Sequence, residues 1–179
     1  MTNWSHIVQE HGAIVWRTVH RLLGNEADEE DCFQRTFVSA LELSRKEAIR
    51  NWPPLLKRLA TVRALECLRA RYRVTNRLAP LADGGIIDGK AVDPLQAAGE
   101  AELADHLRVA LTKLDPLQCE VFCLAVLDDL SYRQVADQLR LNANHVGVLL
   151  NRARASLRNL LQAHRPTPAA LPIEKEEQP

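Results

Sequence analysis

Long apolar runs, glycine, aromatic residues and net charge are all scarce in this 179-residue sequence, and each scarcity excludes a class of protein. The longest uninterrupted apolar stretch is Val121 to Leu127, far short of the ~20 residues that a membrane-spanning helix needs. The first residues, MTNWSHIVQEHG, have neither the basic nor the apolar segment of a secretory leader, so a cytoplasmic protein is expected. Four cysteines, at positions 32, 67, 119 and 123, are too sparse for a disulfide scaffold; each lies in an apolar helical pattern, which points to buried thiols. Aromatics make up 4% of the residues and glycines number 7, whereas Leu, Ala and Arg are abundant. No alternation of period two is long enough for a sheet, so an all-α chain is expected. Finally, 23 Lys+Arg balance 23 Asp+Glu, and the chain as a whole offers no excess charge to attract a polyanion.

What the total conceals is segregation. Residues 26 to 31, EADEED, hold five acids in six positions. Residues 45 to 77 hold ten basic residues against Glu47 and Glu66, a local excess of eight. Six acids against Lys90 follow in residues 83 to 105, and from Arg140 to Arg165 there are five arginines and no acid. A phosphate backbone beside one of these segments would feel mainly that segment, because screening removes charges beyond about 8–10 Å. Solvated helix faces produce the same pattern, so segregation alone does not make a nucleic-acid interface.

Periodicity divides the chain into a helical first half, a broken stretch and a second helical unit. Val15, Val19, Leu22 and Leu23 mark a first helix that Gly24-Asn25 ends, and Asn25 can cap a second whose first turn is acidic. Phe33, Phe37, Ala40 and Leu41 supply its apolar stripe. Pro53-Pro54 restarts a helix where a missing N–H costs little, and Leu55, Leu59, Val62, Leu65 and Leu68 carry its buried face towards Arg73. Residues 74–99, with Pro80, Gly84-Gly85, Gly89, Pro94 and Gly99, read as a flexible linker without regular structure. The end, RPTPAALPIEKEEQP, reads as a disordered tail.

In the second unit Asp115-Pro116 caps a helix, Ser131 and Gln134 form a capping box ahead of Val135, Ala136 and Leu139, and Asn142 caps a longer helix. That last helix repeats Val146, Leu150, Ala153, Leu157 and Leu160 at steps of three and four. A short helix, a tight turn and a longer helix flanked by arginines is the helix-turn-helix pattern, although an ordinary helical hairpin has the same periodicity. As a DNA reader, the last helix would present Asn144, His145, Gly147, Val148 and Asn151 to base edges, with Arg152, Arg154 and Arg158 as cations for phosphate.

Three segments carry a resemblance to the extracytoplasmic-function sigma factors of bacterial RNA polymerase, within the sigma-70 superfamily. ADEEDCFQRTFVSAL resembles the signature of region two, with Asp31, Gln34, Thr36 and Phe37 at the family's spacing; RNWPPLLKRLATVRALECLRARYR resembles the stretch that follows. LTKLDPLQCEVFCLAVLDDLSYRQVADQLRLNANHVGVLLNRARASLRNLL resembles region four over its full length. The resemblance implies two small helical domains: region two over 1–73, the linker over 74–99, the region-four helix-turn-helix over 100–163, and the tail over 164–179. It also implies a non-catalytic initiation factor that carries core polymerase to promoters, with no cofactor. Asp31 and Gln34 would bind the clamp of the largest polymerase subunit. The loop at residues 44 to 52, with Arg45, Lys46, Arg50 and Asn51, would hold the melted minus-ten element, helped by Arg63, Arg69, Arg71 and Arg73. The last helix would read the minus-thirty-five element, and an anti-sigma factor would be a possible further partner. Trp52 is read as a core residue rather than a base-stacking one.

The sequence departs from the family at Gly147 and Val148, where relatives commonly carry a basic or hydroxyl residue, and at Gln134 and Cys119. A bidentate Arg–guanine contact gives about 1–3 kcal/mol of discrimination, so its absence implies a different base readout. Cys119 and Cys123, with His106 or His145, lack the paired spacing of a zinc site, and no phosphate loop or nucleophilic triad is present. Two rival classes are a helix-turn-helix regulator that uses only its second unit and a polymerase-bound adaptor without promoter specificity.

Overall fold

The computed structural model describes residues 3–78 and 96–162, and within them the chain is built from helices alone. Helix α1 (Trp4–Leu23) starts at Asn3, whose side chain accepts from the His6 N–H at 3.2 Å, and stops at Gly24, which takes the left-handed conformation at φ 60°. Asn25 then caps α2 (Glu26–Ser44) by accepting from the Asp28 N–H, as its sequence position predicts. Both prolines of α3 (Trp52–Leu78) fall in its first turn, where their missing N–H groups would have no helical partner. These three helices form a bundle around Val15, Val19, Leu22, Phe37, Ala40, Leu56, Ala60, Ala64 and Leu68. At its rim Trp52 packs edge-on against Trp4 with ring centroids 5.5 Å apart, a packing role.

The expected linker is shorter than residues 74–99. Helix α3 runs five residues past Arg73, because Val74 to Leu78 contain no breaker and Pro80 is the first residue unable to continue the ladder. Helix α4 (Gln96–Lys113) already includes Gly99, which a helix tolerates at a cost of about 1 kcal/mol. The rest of the expected linker, and the expected tail at 164–179, lie outside the described residues.

The second unit continues through α5 (Pro116–Phe122), a π-helical turn (Cys123–Leu127), α6 (Tyr132–Leu139) and α7 (Ala143–Gln162). Asp115 caps α5 by accepting from the N–H groups of Leu117 and Gln118 at 3.0 and 3.2 Å. Cys119, Val121, Leu124, Val135, Val146, Leu150, Ala153 and Leu157 are the buried centre of this unit. Cys32 and Cys123 are also buried, Cys67 is half-buried, and all four cysteines are free thiols. No described helix is long and apolar enough to cross a membrane.

The two halves do not stand apart. Their buried apolar residues form one continuous cluster, with α4, α5, α6 and the π turn all packed on α3. Polar contacts fix the arrangement. Arg108 of α4 donates to the carbonyl oxygen of Leu22 at 3.2 Å and lies against that of Arg21, capping the negative end of the α1 dipole. Arg58 of α3 pairs with Glu120 of α5 at 3.0 Å.

Candidate nucleic-acid interface

Helix α7 owes its position to the turn before it. Ser131 and Gln134 cap α6 reciprocally, Arg140 ends it at φ 55°, and the side chain of Asn142 accepts from the His145 N–H at 2.7 Å to start α7. The inward residues Val146, Leu149, Leu150, Ala153 and Leu157 are buried. Their burial turns Asn144, His145, Val148, Asn151, Arg152 and Arg154 outward, with Gly147 half-buried beside them. Arg152, Arg154 and Arg158 have no acidic partner among the described residues, so this face offers cations to an incoming phosphate.

In the first half the loop between α2 and α3 spans residues 45–51, with Arg45, Lys46, Arg50 and Asn51 all exposed. It faces the turn of the helix-turn-helix across a cleft of about 560 Å³ lined by Arg50, Asn51 and Arg58 on one side and Asp137, Gln138 and Arg140 on the other. Asp31 and Gln34 are exposed on the outer face of α2, where Asp31 pairs with Arg35 at 2.9 Å.

Of the α3 arginines that the resemblance places with the melted minus-ten element, most are engaged within the chain. Arg63 donates to Ser39 and pairs with Glu66 at 2.9 Å. Arg71 pairs with Asp28 at 3.2 Å and donates to the Leu23 carbonyl oxygen at 3.3 Å. One nitrogen of Arg69 is buried without a hydrogen-bond partner, and its charge acts on the Cys119 thiol in the other half. Only Arg73 of the four is exposed and unpaired among the described residues.

Residues 105–157 match the model of sigma-70, region 4. Over 169 residues, 92% of this chain, the sequence is 28% identical to the ECF RNA polymerase sigma factor SigE of Mycolicibacterium smegmatis. The chain is thus similar to an extracytoplasmic-function sigma factor over most of its length. It spans 63% of the length of that SigE relative. Among solved structures, the chain resembles CnrH in complex with the cytosolic domain of CnrY, with TM-score 0.58, 26% identity, and coverage of 90% of this chain and 89% of that one. The fold also matches the sigma factor RpoE of Bartonella quintana, solved with the anti-sigma factor NepR, with TM-score 0.52, 24% identity, and coverage of 88% of this chain and 97% of RpoE.

One residue that sequence reasoning passed over is central to how the chain holds its two halves together. Asp128 follows the π turn and is 3% exposed. Its carboxylate accepts from Thr18 at 2.7 Å, from Arg21 at 2.8 Å and from Thr61 at 3.2 Å, so one acid of the second half is held by α1 and α3 together. Lys57 donates to the Asp128 main-chain carbonyl and Arg21 to that of Leu127. Burial pushes the Asp128 carboxyl above its ordinary value, and the bonds and charges of Thr18, Arg21, Lys57 and Thr61 only partly offset this. The available signal was position: Asp128 directly follows the longest apolar run of the sequence. Burial also dominates at Cys32, whose thiol is pushed up to about 12 and is therefore a poor nucleophile.

Proposed function

We propose that the chain is a non-catalytic sigma factor that directs core RNA polymerase to promoters and starts DNA-templated transcription in the cytoplasm. The observation that carries this is α7: a helix-turn-helix within the region-four match whose outer face is polar and cationic and has no acidic partner among the described residues. On this reading Asn144, His145, Gly147, Val148 and Asn151 face the minus-thirty-five element while Arg152 and Arg154 hold its backbone. With no arginine at positions 147 and 148, base readout there rests on the Asn and His side chains and on apolar contact.

Residues 1–73 serve as the region-two domain, 74–99 as the connection, 100–163 as the region-four domain and 164–179 as an appended tail. Asp31 and Gln34, exposed on an acidic helix, suit the clamp of the largest polymerase subunit. Arg45, Lys46, Arg50 and Asn51 suit the backbone of a melted minus-ten strand, where unstacking costs a few kcal/mol that a cationic loop can offset. Arg73 adds to that surface as the structure stands; Arg63 and Arg71 join it once they leave their intramolecular partners, and Arg69 once its buried end is exposed. An anti-sigma factor is a fitting regulator, as RpoE has one in its solved complex.

The test is reconstitution with core polymerase and transcription of genomic fragments. Start-site-specific transcripts that depend on the chain are expected. Failure to bind core would leave the helix-turn-helix regulator as the better reading, and binding without specific starts would favour the adaptor.

A further inference from the structure

The polar outward face of α7, with Asn144, His145 and Asn151, is interrupted by Val148, which is 47% exposed. Val148 lies one turn after Asn144 and one turn before Asn151, so the three share one side of the helix. Tyr132, the first residue of α6, is 44% exposed, and its ring edge lies 3.6 Å from the point where a Cβ on Gly147 would sit. Of the large apolar side chains exposed among the described residues, these are the two in the helix-turn-helix. One exposed valine needs no explanation. A valine and a tyrosine from separate helices, adjoining at Gly147, make a strip of apolar surface on the helix that carries the unpaired Arg152 and Arg154.

Gly147 points the same way. It sits within a regular helix without a left-handed backbone, and a Cβ there would meet Tyr132 at an ordinary contact distance. Neither backbone nor packing therefore requires glycine, which weakens a helix relative to alanine. A longer side chain at this position would lie over the Tyr132 ring, and glycine leaves the ring edge open beside Val148.

The surroundings of the strip select its occupant. Two arginines without an acidic partner among the described residues attract phosphate, which favours nucleic acid over an apolar protein segment. In the major groove the apolar group on offer is the C5 methyl of thymine, whereas the other base edges present donors and acceptors. Asn144 and Asn151, on either side of Val148, carry the amide that pairs with N6 and N7 of adenine. Helix α7 has no carboxylate to accept from cytosine N4, and no arginine before Arg152 to fork onto guanine.

We propose that Val148 and Tyr132, left uncovered by Gly147, form an apolar ledge that receives the C5 methyl of a thymine and makes α7 specific for A·T pairs. The proposal rests on the sigma-factor reading and names the class of duplex that its helix-turn-helix selects. Burying one methyl contributes about a fourfold preference, so replacing that thymine by deoxyuridine, which lacks only the methyl, should weaken binding by about fourfold.

The full chain, alone and with core polymerase, is used to select duplexes from a library randomised over the minus-thirty-five region, and each selected thymine is then replaced singly by deoxyuridine. A loss of about fourfold is expected at a thymine within the selected site, shrinking below about twofold when Val148→Ala is combined with Tyr132→Ala. Tyr132→Phe, which keeps the ring edge, should retain the full loss. Both side chains are exposed, so the double variant should melt as wild type does and keep its affinity for unselected DNA, a result that misfolding does not produce. Selected duplexes without A·T enrichment, no deoxyuridine effect at any thymine, or an effect undiminished in the double variant would each overturn the ledge. Promoter-specific complexes with no deoxyuridine effect would overturn the ledge and keep the sigma-factor reading. Methyl-dependent selection by a chain that fails to bind core polymerase would keep the ledge and overturn that reading. If the chain selects no duplex in either form, both fall.

Discussion

Helices α3 and α7 look alike in sequence, each an amphipathic helix studded with arginines, yet their cations have different fates. Those of α7 stand in solvent: Arg152, Arg154 and Arg158 meet no acid among the described residues. Those of α3 are mostly committed, Arg58 to Glu120, Arg63 to Ser39 and Glu66, and Arg71 to Asp28, with Arg69 half-buried between the halves. The local excess of eight positive charges that marks residues 45–77 is therefore not eight charges available to DNA. An unpaired cation contributes to the field that a polyanion meets, whereas one held by a carboxylate at 3 Å contributes little beyond a Debye length. The comparison separates a helix that reads outward from one that also holds the molecule together.

The most disruptive way to break it is to remove the acid that α1 and α3 share. Asp128→Ala should destabilise the packed chain by about 3 kcal/mol, since it leaves Thr18, Thr61 and Arg21 without their common acceptor. Urea denaturation should then show the two halves unfolding in separate transitions; a single transition at the wild-type midpoint would contradict the assignment. Gly24→Ala comes next, at about 2 kcal/mol, because the position has φ 60° and an added Cβ would lie 2.6 Å from an Arg108 nitrogen. Its loss should appear in thermal melting and should be smaller in a chain that already carries Arg108→Ala.

The comparison is sharpened by treating the two helices in parallel. Arg71→Ala should cost about 1 kcal/mol of stability by freeing Asp28 and the Leu23 carbonyl. Arg152→Ala with Arg154→Ala should leave stability within about 0.5 kcal/mol and reduce the salt slope of DNA binding by the polymerase complex by about two. Equal effects on stability from the two helices would erase the distinction.

The smallest effect concerns pH. The folded Asp128 carboxyl lies above its ordinary value because burial penalises its charge. A raised value means that the group's contribution is fully present below the unfolded value and is lost as pH rises through the folded one. Acidification should therefore favour the packed form at this site. The charged groups facing it are Arg21 from α1 and Lys57 from α3, and the Cys123 thiol beside it is pushed well above its ordinary value by its hydrogen bond with Cys119 and by burial, so the proton in question is that of Asp128. Asp128→Asn should remove this component, seen as a flatter difference in melting temperature between about pH 4 and about pH 7. An identical pH profile in the variant would place the titration elsewhere.

Much of the architecture is set by local chemistry and is legible in sequence for that reason. Asn25, Asp115, Ser131 and Asn142 each satisfy orphan helix N–H groups within three residues, so the starts of α2, α5, α6 and α7 need no information from elsewhere in the chain. The spacing of Val146, Leu150, Ala153 and Leu157 fixes which side of α7 is buried, and with it the outward set that is proposed to face DNA. The helical content of residues 74–78 and 96–99 was hidden because neighbouring prolines and glycines dominate a local reading, while a helix already under way extends cooperatively until a residue stops it.

What the tertiary structure decided is which charges are free. A partner 43 residues away for Arg71, 62 for Arg58 and 110 for the Thr18 hydroxyl has no periodicity to announce it. The sequence by itself determined helices, caps, buried stripes and the resemblance to a family, because each depends on near neighbours or on a linear motif. Only the packed chain decided that its two halves share a core, that Asp128 is buried between α1 and α3, and that Arg58, Arg63 and Arg71 of α3 are held by partners within the chain. Those outcomes depend on desolvation and on distances between elements, and both exist only once the helices have met.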